Sequence, residues 1–201
     1  IETSTPEESD EWLLAQGKED NAGVDVIGSE LTGMSLTYGE NLQYTVYIPV
    51  NHTDTANVPK NYLKAFIKAL CDAKVQLIIQ NYSFEGTVLY NEWGLEWKDN
   101  GNEGLLPNCL DTKLEASYVD ENDSLGLKKL SKKWFNYDQV DYKSVTTIED
   151  VQYKMCELTG AHVKDYGCDD TIVTASFHNF AKLFMQLEHT WQVYLDVEID
   201  A

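Results

Sequence analysis

Residues 190–200, TWQVYLDVEID, alternate without a fault: Trp191, Val193, Leu195, Val197 and Ile199 against Gln192, Tyr194, Asp196, Glu198 and Asp200. A period of two belongs to a strand with one dry and one wet face, so this stretch predicts a strand in a sheet that meets water on one side. The same period runs through residues 42–48, where Leu42, Tyr44, Val46 and Ile48 alternate with Gln43, Thr45 and Tyr47. Residues 34–38 and 113–119 read as further strands, 75–97 as two or three more, and 171–177 are apolar and β-branched.

Helical periodicity interrupts these runs. Leu63, Phe66, Ile67 and Leu70 form one stripe, opposite Lys60, Lys64 and Lys68 and just after Asn57 and Pro59, which are start signals. Leu127, Leu130, Trp134 and Tyr137 form a second stripe, with Lys128, Lys129, Lys132 and Lys133 on the other side. A third helix opens at Thr147, carries Ile148, Val151 and Met155 inward, and is expected to stop at Gly160. A short fourth bears Phe180, Leu183, Phe184 and Leu187. Strands and helices mix without a regular βαβ rhythm and without a Gly-rich strand-to-helix turn. The reading is an α+β fold: a mainly antiparallel sheet with three or four helices packed on one face. Residues 31–201 form its single domain. Residues 1–30, with nine acids against one lysine, read as an acidic arm, partly disordered or docked through Trp12, Leu13 and Leu14.

Charge narrows the function. The formal net charge is −19, and all fifteen basic residues are lysine. Such a surface repels phosphate backbones and anionic lipid, so neither nucleic-acid binding nor membrane insertion is expected. The absence of arginine argues the same way, since arginine is the usual bidentate clamp for phosphate. The longest apolar run, 75–79 broken by Gln76, is too short to span a bilayer.

The search for chemistry yields little. His52, His162, His178 and His189 form no HExxH or HxH pair, and no P-loop, GxSxG or GxGxxG occurs. Cys71, Cys109, Cys156 and Cys168 lack zinc-site spacing and are disulfide candidates. Cys168 sits among carboxylates that raise a thiol's pKa, which makes it a poor nucleophile. Asn51, Asn81 and Asn122 lie in sequons and are glycosylation candidates. The acidic turns DENDSLG (120–126) and DNGNEG (99–104) miss the EF-hand pattern and are at most weak, irregular Ca²⁺ sites. Trp93 and Trp97 in WGLEW would share a strand face, as buried core or as a platform for a sugar or a protein partner. Lys128, Lys129, Lys132 and Lys133 read as a solvated face, or as a charged patch for the acidic arm of the same or a neighbouring copy.

These observations lead to an expectation of a non-catalytic structural or interaction protein. It would be a subunit of a virion or surface assembly, or a secreted binding module, acting through protein partners or self-assembly without cofactor or metal. The alternatives are a carbohydrate or small-ligand binder using Trp93 and Trp97, and a carboxylate-based hydrolase, which would need two carboxyls converging in a cleft.

Overall fold

The computed structural model describes residues 2–3, 31–93 and 109–199. Apart from residues 2 and 3, the acidic arm lies outside the described residues, and so do Trp97 and the turn at 99–104.

The central sheet is antiparallel, in the order β1 (Glu2–Thr3), β2 (Leu31–Tyr38) and β3 (Tyr44–Pro49). Register pairs Glu2 with Gly33, Met34 with Ile48 and Leu36 with Val46. One face of β2 and β3 presents Met34, Leu36 and Ile48. These pack with Leu63 and Ile67 of α1 (Lys60–Asp72) and with Val88 and Leu89 of α2 (Tyr82–Trp93). The opposite face presents Gly33, Thr37, Thr45 and Tyr47 to the 28-residue helix α6 (Gly160–Leu187), to which Thr37 bonds through Thr171 at 2.8 Å. Helices therefore cover both faces of this sheet, not one. Gly33 is required by a close approach: a Cβ there would lie 2.1 Å from the Tyr47 hydroxyl oxygen.

Strand β4 (Leu77–Ile79) leads into α2 and pairs in parallel with β5 (Cys109–Asp111), which leads into α3 (Thr112–Val119). Then come α4 (Leu127–Phe135), α5 (Tyr142–Thr146) and the small hairpin β6 (Thr147–Ile148) and β7 (Val151–Gln152). The chain closes with α6, α7 (Trp191–Tyr194) and a wider helical turn at Leu195–Ile199. The architecture is mixed helix and strand, as expected, but its sheets are small and one pair is parallel.

Several segments depart from the sequence reading, for identifiable reasons. The expected helix from Thr147 is a hairpin, because Glu149 (φ 50°) and Asp150 (φ 63°) both adopt left-handed backbone. Two consecutive left-handed residues make the tight turn that joins twisted strands. Gly160 starts α6 instead of ending a helix, and the Thr159 side chain caps it by accepting from the His162 N–H. Residues 171–177 lie inside α6. Their β-branched content costs a few tenths of a kcal/mol per residue in a helix. Burial of Val173, Thr174, Phe177, His178, Ala181 and Met185 along one stripe outweighs that. The alternating tail is helical too, since Trp191, Tyr194, Leu195 and Ile199 also match a helical stripe. They join Leu110, Leu130, Phe177 and Met185 in the second core, while Val193 and Val197 face solvent. Residues 82–93 and 112–119, expected as strands, form α2 and α3.

Candidate functional site

Among the described residues, burial raises the proton affinity of four carboxyls: Glu85, Asp111, Glu115 and Asp170. They divide by access. Glu115 is fully buried and bonds His178 Nδ1 at 2.8 Å. Asp111, 7% exposed, accepts from the backbone N–H groups of Asn81 (2.9 Å), Tyr82 (2.8 Å) and Lys113 (2.8 Å). Both have their charge absorbed by the protein, and neither can meet a ligand.

Glu85 and Asp170 differ. Protein crowds each strongly enough to push Glu85 up to about 7 and Asp170 to about 6, and both residues are half-buried, not sealed in the core. Burial is the main cause for each, with the Asp111 charge adding to Glu85 and the Lys128 ammonium and Tyr166 hydroxyl pulling Asp170 back. Gln139 Nε2 also donates to Asp170 at 2.8 Å.

Strand β2 supports both helices that carry these groups. Glu85 lies in the first turn of α2, and Glu92, two turns further on the same face, accepts from the Leu31 N–H at 3.5 Å and from Lys60 Nζ at 2.6 Å. Asp170 precedes Thr171, whose hydroxyl bonds Thr37 near the other end of β2.

The donor set is chemically specific. Carboxylate oxygens that ionise near neutral pH are hard ligands, suited to Mg²⁺ or Mn²⁺ and not to a thiophilic ion. Mg²⁺ is commonly held by one or two carboxylates, with substrate phosphates completing its shell. Among the described residues no group of three or more His, Cys, Asp or Glu converges; Glu85 and Asp170 are the described carboxyls that are both raised by burial and only half-buried.

Glu85 on α2 and Asp170 on α6 are thus two half-buried carboxyls of raised proton affinity. Comparison with known proteins supplies the class: residues 22–188 match the 3′-5′ exonuclease family, and the chain belongs to that family. The DNA polymerase I of Borreliella burgdorferi is 24% identical over 160 residues, which cover 80% of this chain and 16% of that protein. The chain thus spans about a sixth of that relative's length.

Family membership overturns the expectation of a non-catalytic virion, surface or secreted module, and with it the expectation of no nucleic-acid partner. The charge argument failed because net charge is a bulk quantity and does not fix the local sign at a site. Among the described residues, no helix is long and apolar enough to cross a membrane.

The residues singled out by sequence lie elsewhere. Trp93 ends α2 and packs half-buried on the first core, on a helix and not on a strand. The lysine block is largely self-neutralised: Lys128 pairs with Asp141, Lys132 with Asp138, and Lys133 with both Asp120 and Asp123. The Lys133 ammonium thereby occupies the acidic turn considered for Ca²⁺. Lys128 also lies 5.6 Å over the Tyr166 ring, so one lysine of the block does border the site. All four cysteines are free thiols, and burial, then Asp165, pushes Cys168 up. Asn122 is exposed, while Asn51 and Asn81 are half-buried. Sequence reasoning missed Glu85 because its helix was taken for strands. It passed over Asp170 because DYGCDD drew attention to its cysteine.

Proposed function

We propose that this chain hydrolyses the terminal phosphodiester bond at the 3′ end of a DNA strand, with Glu85 and Asp170 holding a divalent cation. The observation that carries this is the pair of half-buried carboxyls whose proton affinity burial has raised, in a chain of the 3′-5′ exonuclease family. DNA is favoured as substrate by the polymerase relative.

In the reaction, the oxygen of a water molecule bonds to the phosphorus of the terminal nucleotide, and the bond from phosphorus to the neighbouring 3′ oxygen breaks. The water loses a proton and the departing 3′ oxygen gains one, releasing a 5′-mononucleotide. A divalent cation at Glu85 and Asp170 would polarise the phosphate and lower the pKa of the attacking water. The chain's own groups prepare the site. Gln139 and Tyr166 fix the Asp170 carboxylate by donating to it.

The test is digestion of a 5′-labelled single-stranded oligonucleotide with Mg²⁺. Stepwise shortening from the 3′ end is expected, and its loss in both Glu85→Gln and Asp170→Asn. Undiminished digestion by either variant removes that residue from the reaction.

A further inference from the structure

The start of α2 is held from another strand. Asn81, the residue before the helix, is left-handed (φ 64°), and its carbonyl accepts from the Phe84 N–H (3.0 Å) and the Glu85 N–H (3.4 Å). A helix start leaves several N–H groups without partners, and a local side chain usually takes one of them. Here the acceptor comes from another strand. Asp111, at the end of β5, takes the Asn81 N–H on Oδ1 and the Tyr82 N–H on Oδ2. The same Oδ1 takes the Lys113 N–H and so caps α3.

Asp111 is itself locked. Its N–H donates to the Tyr194 hydroxyl at 2.9 Å, and Tyr194 is fully buried. Next to it, the Thr112 hydroxyl bonds the Ile79 carbonyl (3.0 Å) and Gln80 Oε1 (2.6 Å). An unbroken chain of bonds therefore runs from Tyr194 through Asp111 to the residue on which the Glu85 backbone hangs.

We infer that Asp111 is a positioning residue for the exonuclease site: through the Asn81 turn it fixes where Glu85 presents its carboxylate. This rests on the proposed role of Glu85. One carboxylate caps two helices at once, so the spacing of α2 and α3 is set by a single rigid group.

The experiment uses the full chain and Mn²⁺ as the probe. Mn²⁺ affinity is read by isothermal titration calorimetry, and the pH profile of 3′-end digestion is recorded, for wild type, Asp111→Asn, Tyr194→Phe and Leu130→Ala. Leu130 is buried in the second core and reports loss of stability alone. Asp111→Asn keeps one acceptor oxygen but turns an amide towards the Tyr82 N–H. It is expected to weaken Mn²⁺ binding by about tenfold or more, as loss of a residue that orients a ligand does. Its acid limb is expected to move to lower pH. Tyr194→Phe should act in the same direction by a smaller factor, and it carries the test if Asp111→Asn does not fold. Leu130→Ala should lower the melting temperature and leave both readouts in place. Wild-type Mn²⁺ affinity and pH profile in Asp111→Asn, or in Tyr194→Phe where only that variant folds, overturn the inference, and so does an equal change in Leu130→Ala. If Glu85→Gln itself digests DNA normally, the functional reading has failed and not merely this refinement.

Discussion

Glu115 and His178 meet side chain to side chain at 2.8 Å, 63 residues apart in sequence, with 0% and 5% of their side chains exposed. The pair joins α3 to α6 inside the second core, beside Trp191. Among the described residues Glu115 Oε2 has no hydrogen-bond partner, so the carboxylate depends on His178. Replacing His178 by Ala is expected to cost about 3–5 kcal/mol in urea unfolding, because it strands a buried acid. A double change of both residues to apolar side chains of similar size should cost markedly less than the single change. If the single change were the milder of the two, the pair would not be the coupled unit described here.

The open carboxyls behave in the opposite sense. Glu85→Gln and Asp170→Asn should each lower the exonuclease rate by at least about a hundredfold, since cation binding supplies several kcal/mol of transition-state stabilisation. Neither should lower the melting temperature at pH 8, because each removes a charge that burial disfavours. Differential scanning fluorimetry alongside the rate assay reads both.

The Glu85 contribution to stability should fall as pH rises from about 4.5 to about 7. In that window the folded chain keeps a proton on Glu85, whose affinity is raised to about 7 from 4.5, while the unfolded chain has released it. The folded state then binds more protons, so the unfolding free energy declines with pH and levels off above 7. Asp170, raised to about 6 from 3.8, adds the same sign at lower pH. Mg²⁺ needs the ionised forms, so its binding should release protons and raise the melting temperature most above pH 7. The slope between pH 5 and 7 should flatten in Glu85→Gln.

Gly33→Ala should destabilise by about 1–3 kcal/mol, the usual cost of forcing atoms into a filled site. Its Cβ would fall 2.1 Å from the Tyr47 hydroxyl oxygen and 2.4 Å from the ring carbon that bears it. Tyr47 is not free to yield, since its hydroxyl bonds His52 Nε2 at 2.7 Å and His52 Nδ1 bonds the Leu158 carbonyl at 3.0 Å. Equal urea midpoints for Gly33→Ala and wild type would show that the contact relaxes without cost.

Local pattern alone determined those elements whose period admitted one reading. The stripe from Leu63 to Leu70 made α1, the lysine-backed stripe from Leu127 to Trp134 made α4, and residues 34–38 and 42–48 fell on β2 and β3. Each helical stripe carries its own dry and wet faces, whereas β2 and β3, covered by helices on both sides, show no such alternation. Tertiary structure decided the rest. Residues 171–177 and 190–199 suit a strand or a helix, and only the second core, where Phe177, Met185 and Tyr194 are fully buried, selects the helix. The site was invisible for a related reason. Glu85 and Asp170 are 85 positions apart, and nothing local distinguishes them from the other acids among the 34. What sets them apart is that folding crowds them without sealing them, and desolvation of that kind exists only once α2 and α6 have been laid against β2.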